Sequence, residues 1–519
     1  MAKETADIVV IGSGIGGLCC AALLARYGFE VVVCESHSIA GGAAHAFERQ
    51  GFTFDSGPSL YSGLSYQPSA NPLRHVLDAI GAELPCVTYD AWGCCLPEGN
   101  FSAQVGAEPF AEILDHLRGP TAVREWRTLQ AVMEPLGKAA MAVPPIALRA
   151  DLGALLTVAP FTSALWRQAV HLPQLTAPFS RVMDGVITDP FIRNWLDLLC
   201  FMLSGLPAKG TITAEIAFMF ADWYRPNVQL DYPLGGGGAL VNALVQCLKR
   251  WGGELRLNAH VTEILTQGNR ATGVRLSNGQ VLKARRAVVS NLVIWDTLKL
   301  LPTQVMPQSY RHRSDIIPLC PSFMHLHLGI DGRDLPANLE CHYIVVNDWE
   351  CGVTAPQNVV AISIPSLLDP SLAPPGKQTI HVYTPATEPY ELWQGLDRRS
   401  AAYAVQKEAR ATVLWQALER IIPDIRSRCE VTLVGTPLTH ERFLRRHHGT
   451  YGPSLWAGQS TLPGPKTPLR GLLCCGDSTF PGIGLPAVAA SGTLAAHAIT
   501  PLNQHRDLLK RLRFPHAAK

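Results

Sequence analysis

Long hydrophobic runs, a dominant charge and paired-cysteine motifs are all missing from this sequence, and each absence removes a class of function. No uninterrupted apolar run in the 519 residues is long enough to cross a bilayer as a helix, so any membrane contact is predicted to be peripheral. Lys and Arg number 44 against 42 Asp and Glu, a net of +2, so no global field points to nucleic acid as a partner. The 14 cysteines include the adjacent pairs Cys19-Cys20, Cys94-Cys95 and Cys474-Cys475 but no C-x-x-C. Neither a zinc site nor a redox dithiol is signalled, and buried free thiols of a reducing compartment are predicted. Met1 to Ala6 run almost directly into a predicted strand, leaving no room for a signal or transit peptide. The length exceeds a single hydrophobic core, so two or more intertwined domains are predicted. At 47% hydrophobic and 17% charged, the composition lies on the apolar side for a soluble enzyme.

What is present concentrates at the N-terminus. Ile8 to Ile11 are a strand-length apolar run, and Gly12, Gly14 and Gly17 then supply G-x-G-x-x-G as a helix opens. Gly12 permits a tight turn, Gly14 lets the backbone approach a pyrophosphate, and Gly17 allows close helix packing. The helix, Ile15 to Tyr27, is predicted to end at Gly28, and Glu30 to Cys34 forms a second strand. Glu35 follows at the spacing where a carboxylate binds ribose hydroxyls. Gly41-Gly42 adds a second glycine pair over the pyrophosphate, which favours FAD over NAD. Ser13, Gly16 and Val261 join these as expected cofactor-binding residues. Near the far end, Gly471 to Cys475 is an apolar strand, and Gly476-Asp477 places a carboxylate at its C-terminal edge, where open α/β sheets bind ligands. Gly482, Gly484, Leu485 and Pro486 then open a small-residue helix whose positive end is predicted to meet the flavin.

Between these ends lie the inserts. Trp92 to Phe101 reads as a hairpin, and so does Gly273 to Gln280 with its Asn-Gly turn. Four glycines after Tyr232 precede a helix, and Ala287 to Asn291 returns a strand to the nucleotide sheet. Met141 to Met183 is the most apolar region; prolines interrupt it, and it reads equally as core helices or as a membrane-facing surface. His325 and His327 share one face of a strand; with no third ligand marked, they are predicted to be exposed and no metal is expected. The segment Thr436 to Pro453 gathers His440, Arg442, Arg445, Arg446, His447 and His448, either as a solvated basic face or against substrate or the cofactor domain. The tail after Pro501 is basic and amphipathic and is predicted to lie on an anionic membrane surface.

Together these stretches resemble the phytoene-desaturase-type flavoproteins and, among them, the carotenoid (prolycopene) isomerase branch. The resemblance rests on GSGIGGL and GGAAHAFERQGFTFDSGPS at the start, YPLGGGGALVNAL and AVVSNLVIWDT in the middle, and CHYIVVNDW and SIPSLLDPSLAP further on. TPLTHERFLRRHHGTYGP and CGDSTFPGIGLPAVAASG complete it. It implies an α/β fold with a discontinuous Rossmann-like FAD-binding domain, an inserted α+β substrate domain and an apolar helical region. The expected division is 1–60, 232–300 and 465–500 for FAD, 61–231 and 301–464 for substrate and membrane, and 501–519 for the tail. The resemblance further implies a carotenoid or other long isoprenoid polyene as substrate. It also implies peripheral association with a membrane, at the cytoplasmic face or on a plastid thylakoid, and it names no electron donor. Cis-trans isomerisation with reduced flavin leads; desaturation, saturation or hydration of a polyene are the alternatives. Asp55, His440 and Tyr451 are the catalytic candidates, as an acid that protonates the polyene. A noncatalytic prenyl-binding escort is a further alternative, against which the intact Gly12, Gly14, Gly17, Glu35 and Asp477 weigh.

Overall fold

Apolar strands that all stop at one edge organise the first sheet of the computed structural model, which describes residues 4–57, 59–459 and 461–512. Its order is Glu254–Arg256, Val31–Cys34, Thr5–Ile11, Val281–Ser290, Arg270–Leu276, Val261–Gln267, with Leu472–Cys474 also paired to Val281–Ser290. The pairings Ile11 with Cys34, Ile11 with Ser290 and Ser290 with Cys474 are parallel and in register. Four strand ends therefore deliver Gly12, Glu35, Asn291 and Gly476 to the same edge, which is where such sheets hold ligands. Val31–Cys34 is buried throughout, as expected of a strand covered on both faces.

Small residues let the helices above this sheet approach closely. The helix Ile15–Arg26 packs against Leu485–Ile499 and Gly236–Arg250. A Cβ at Gly492 would run into the Gly16 carbonyl, so this contact admits nothing larger than glycine. The Asn-Gly turn is as predicted: Gly279 has φ +84° and its N–H donates to the Leu276 carbonyl.

The second sheet is ordered Cys429–Gly435, Ser322–Asp331, Lys377–Glu388, Val359–Ser363, His342–Val346, Ala91–Leu96, Gly99–Gln104. Alternation along Ser322–Asp331 gives its faces different jobs. Met324, Leu326, Leu328 and Ile330 pack with Leu414, Trp415 and Leu418 of the helix Ala401–Glu419. On the other face Phe54 lies edge-on to His327, and a Cβ at Gly329 would meet the Phe52 ring. His325 and His327 are thus buried, at 5% and 7% exposure, not exposed as the sequence suggested. Alternation assigns residues to a face, but the Phe52–Asp55 strand that covers this face comes from far upstream.

The helices Pro120–Ala140, Pro190–Ser204 and Thr213–Trp223 share an aromatic core that includes Trp126, Trp195 and Phe220. Between the first two, residues 141–183 break into short helical pieces that leave Leu152 87%, Leu155 75%, Trp166 80% and Val170 76% exposed. Among the described residues no helix is long and apolar enough to cross a membrane. The C-terminal helix Leu502–Leu512 buries His505 and Leu508 and packs Leu509 and Leu512 on the first core. That corrects the membrane reading of the tail, because its apolar side already has a protein partner; Arg513 and Phe514 lie outside the described residues.

Candidate cofactor and substrate site

Gly12 turns the chain with φ +89°, and its N–H donates to the Cys34 carbonyl. The helix that follows has no side-chain cap at Gly14 and no acid in its first turn, so its N-terminal N–H groups are free for a phosphate. A Cβ at Gly14 would sit 2.7 Å from Asn291 Nδ2, and one at Gly16 would sit 2.7 Å from Asn291 Oδ1. Glu35 Oε2 accepts from Ser13 N–H (2.9 Å) and Ser13 Oγ–H (2.6 Å), and Oε1 accepts from His37 N–H (2.8 Å). These bonds hold the carboxylate at the strand end.

A cleft of about 720 Å³ opens on this edge, and Gly12, Gly14, Glu35, Gly42, Val261 and Asp477 line it. Gly14 and Asp477 also line a second cavity of about 240 Å³, together with Gly16, Gly41, Gly476, Gly484 and Leu485. Two expected residues line neither: buried Ser13 reaches the site through Glu35, and Gly17 packs against the Gly12 carbonyl. The helix Leu485–Ile499 also begins without a side-chain cap or an early acid, presenting free N–H groups to the second cavity. These glycine cradles and two uncapped helix starts fit a dinucleotide cofactor, which would need N–H donors and no side-chain bulk along this edge.

The second cavity also has Phe201, Met202, Phe323, Tyr383, Ile483 and Val488 in its wall, beside the polar Asn291, His325, Arg446 and Thr450. His440 and Tyr451 line it. Burial pushes the His440 imidazole down to about 3 and raises the Tyr451 phenol, so both are neutral near pH 7. Asp55 is not in the wall, although Ser56 and Gly57 of the same turn are. Its carboxylate accepts from Gly237 N–H (2.8 Å) and Tyr232 O–H (2.9 Å), which ties it to the start of the helix Gly236–Arg250. The geometry makes Asp55 a positioning residue, contrary to the acid role expected of it.

Burial raises the Asp55 carboxyl to about 6. A carboxyl raised on folding favours the folded state below its unfolded value of 3.8, and that contribution is lost as pH rises through 6. Urea titrations at pH 4.5 and 7.5 are expected to show Asp55→Asn losing less stability over this interval than the parent protein, by about 2 kcal/mol.

Arg446 Nη2 donates to Asp477 Oδ2 (2.6 Å) and to the Tyr451 carbonyl (2.8 Å). Arg442 and Arg445 line the larger cleft and are themselves exposed, so the basic segment borders the site with these two guanidinium groups in solvent. Two groups escaped sequence reasoning. Asn291, the residue after the strand Val281–Ser290, fills the space between Gly14, Gly16 and Gly476; its signal was its place at a strand end. His381, opposite His327 in the sheet, completes a buried trio with His325 and His327. The rings of His327 and His381 stack at 4.3 Å and 5°, and lone pairs lying in parallel planes do not converge on one metal ion.

Residues 15–500 match the family model described as flavin-containing amine oxidoreductase. The chain is 33% identical to prolycopene isomerase 2, chloroplastic, of an Oncidium hybrid cultivar, over 96% of this chain and 84% of that protein. It is 27% identical to the lycopene-forming phytoene desaturase of a Paracoccus strain, over 95% and 96%. Among solved structures, putrescine oxidase bound to putrescine shares the fold with a TM-score of 0.62 at 15% identity, covering 98% of this chain and all of that one. The escort alternative falls with these matches. The chain belongs to the flavin-containing amine oxidoreductase family, as an FAD-dependent enzyme of its phytoene-desaturase-type, carotenoid isomerase branch.

Proposed function

We propose that this enzyme converts a poly-cis carotene to a more extended isomer, with no net change in oxidation state. What carries the reading is a cavity with an apolar and aromatic stretch of wall, Phe201, Met202, Phe323, Ile483 and Val488, that meets the cofactor edge at Gly14, Gly476 and Asp477. Such a stretch suits a hydrocarbon, and the two charges that border it, Arg446 and Asp477, are paired with each other. Similarity to a prolycopene isomerase along nearly the whole chain supports it.

In this reading Glu35, held by Ser13, takes the adenosine ribose, with Val261 beside it. Gly12, Gly14, Gly16, Gly17, Gly41 and Gly42 form the pyrophosphate cradle. Gly476 and Asp477 hold the ribityl end, and Gly484 and Leu485 start the helix that meets the flavin ring. Bound reduced flavin supplies the electron density that lets the order of a polyene double bond fall while it rotates. The chain's own part is to exclude water and fix the polyene: Phe201, Met202 and Phe323 grip it, and Asp55 anchors the helix behind the glycine pair Gly41-Gly42.

The exposed apolar segment Leu152, Leu155, Leu156, Trp166 and Val170 supports peripheral docking on the membrane that stores such a substrate. The double variant Leu155→Glu, Trp166→Glu is expected to stay in the supernatant when mixed with phospholipid vesicles that sediment the parent protein. Equal sedimentation would reject this surface.

Anaerobic incubation of reduced enzyme with a poly-cis carotene tests the function through the mass of the product. Unchanged mass with a red-shifted spectrum is expected. Loss of two hydrogens, gain of two, or gain of water would replace isomerisation with desaturation, saturation or hydration.

A further inference from the structure

Two side chains that line the second cavity present a polar tip without a partner. His440 Nδ1 lies 3.3 Å from the Gly449 carbonyl, which only accepts, so Nδ1 carries the proton and Nε2 is a bare acceptor. Burial keeps this imidazole neutral near pH 7, so Nε2 remains an acceptor. Tyr451 keeps its O–H, a group that both donates and accepts. Among the described residues neither His440 Nε2 nor the Tyr451 hydroxyl is hydrogen-bonded, and neither is enclosed by protein as His325 Nε2 is. Both tips therefore open on the cavity that their residues line.

Both side chains flank one ring. Phe323 lies 5.1 Å from the His440 ring and 5.3 Å, edge-on, from the Tyr451 ring. Phe323 belongs to the strand Ser322–Asp331 and His440 to the helix Pro437–Leu444, so this wall is separate from the glycine edge that suits the cofactor. The two tips are also held in place. The Gly449 carbonyl accepts from Ser322 Oγ–H (2.7 Å) as well as from His440, and a Cβ at Gly449, where φ is +55°, would meet the Pro437 carbonyl at 2.7 Å. Tyr451 N–H donates to the Pro321 carbonyl (3.3 Å), and its own carbonyl accepts from Arg446. A fixed acceptor and a fixed donor beside an aromatic ring match one hydroxyl, whose O–H meets Nε2 while its oxygen accepts from the phenol. A bare hydrocarbon laid over Phe323 would strip water from both tips and return no bond, which is unfavourable at each.

We propose that the preferred substrate is a polyene carrying a hydroxyl at or near one end, and that His440 and Tyr451 select it. The proposal rests on the isomerase reading and narrows its substrate class, with the pure hydrocarbon as the poorer member. His440 Nε2 accepts from the substrate O–H, Tyr451 O–H donates to the same oxygen, and Phe323 packs on the adjoining carbons. Neither side chain passes a proton to the polyene, and no covalent bond forms or breaks at this end. The contribution is orientation: anchoring the hydroxyl fixes which stretch of the chain lies along the cofactor edge. A site that bonds a hydroxyl rejects the analogue lacking it, because its polar groups are then left unpaired.

The test is competition: reduced holoenzyme receives, anaerobically, equal amounts of a poly-cis carotene and of the same chain bearing a terminal hydroxyl. The hydroxylated polyene is expected to show a kcat/KM about 100-fold higher. His440→Phe and Tyr451→Phe are each expected to cut that preference about tenfold, whereas a merely structural role would lower turnover of both polyenes alike and leave their ratio unchanged. Differences in solubility between the two polyenes cancel when variant and parent ratios are compared. Equal kcat/KM for the two polyenes, or a parental ratio in both variants, overturns the selection and leaves isomerisation standing. Loss of bound flavin at a parental ratio overturns it too, and gives the two tips to the cofactor. If neither polyene isomerises, the function fails, and dissociation constants of the two polyenes for the oxidised holoenzyme decide the selection separately. Tighter binding of the hydroxylated chain that His440→Phe removes supports it, and equal binding rejects it.

Discussion

Replacing Gly14 with valine is expected to yield a folded but colourless protein. The added Cβ would meet Asn291 Nδ2 at 2.7 Å, and that atom ends a side chain that can move aside, so the fold survives. The rest of the valine then occupies the space that both cavities share at Gly14, where the phosphates must pass. FAD affinity should fall by at least about 100-fold, roughly 2.7 kcal/mol, measured by flavin titration of the purified protein. Gly17→Ala is the contrasting control. Its Cβ would run into the backbone carbonyl of Gly12, which cannot swing away, so melting temperature should fall as well as flavin content. A yellow Gly14→Val protein with parental affinity would remove the phosphates from this turn.

The second large effect is expected at Arg446. Its pairing with Asp477 is mostly buried, at 19% and 13% side-chain exposure, and the same guanidinium holds the Tyr451 carbonyl. Arg446→Met would leave the Asp477 carboxylate without its cation, and removing one partner of a buried pair costs on the order of 3 kcal/mol. Because Asp477 lies at the cofactor edge and Tyr451 in the wall of the second cavity, the loss should appear in both flavin retention and turnover. Arg446→Lys should recover the charge but not the two-partner geometry, and so fall between. Parental melting and flavin content in Arg446→Met would show that this clamp is dispensable.

The cofactor half of this site was legible because its signals are local. Glycines set at fixed spacing after an apolar strand, a carboxylate after the next strand, and Gly476-Asp477 after a third need only short-range geometry to be read. The catalytic side was less so, because its roles depend on segments far apart in the chain. Asp55 sits in a turn that does approach the cavity, yet its carboxylate is claimed by Gly237, 182 residues later. His325 and His327 were placed correctly on one strand face, but period two does not say that Phe52 and Phe54 will cover it. The tail's amphipathic pattern was real as well. A periodicity reports an apolar stripe and not whether lipid or protein receives it, and here the first core takes Leu508 and Leu512.

The central claim is that the chemistry is catalytic in reduced flavin and leaves the carotenoid's composition unchanged. The most direct measurement counts carotene molecules converted per enzyme-bound reduced flavin, anaerobically, after the reductant has been removed. Many conversions per flavin, with the enzyme still reduced at the end and the product mass unchanged, is the predicted result. One conversion per flavin, with the enzyme left oxidised and two hydrogens gained by the product, would contradict it.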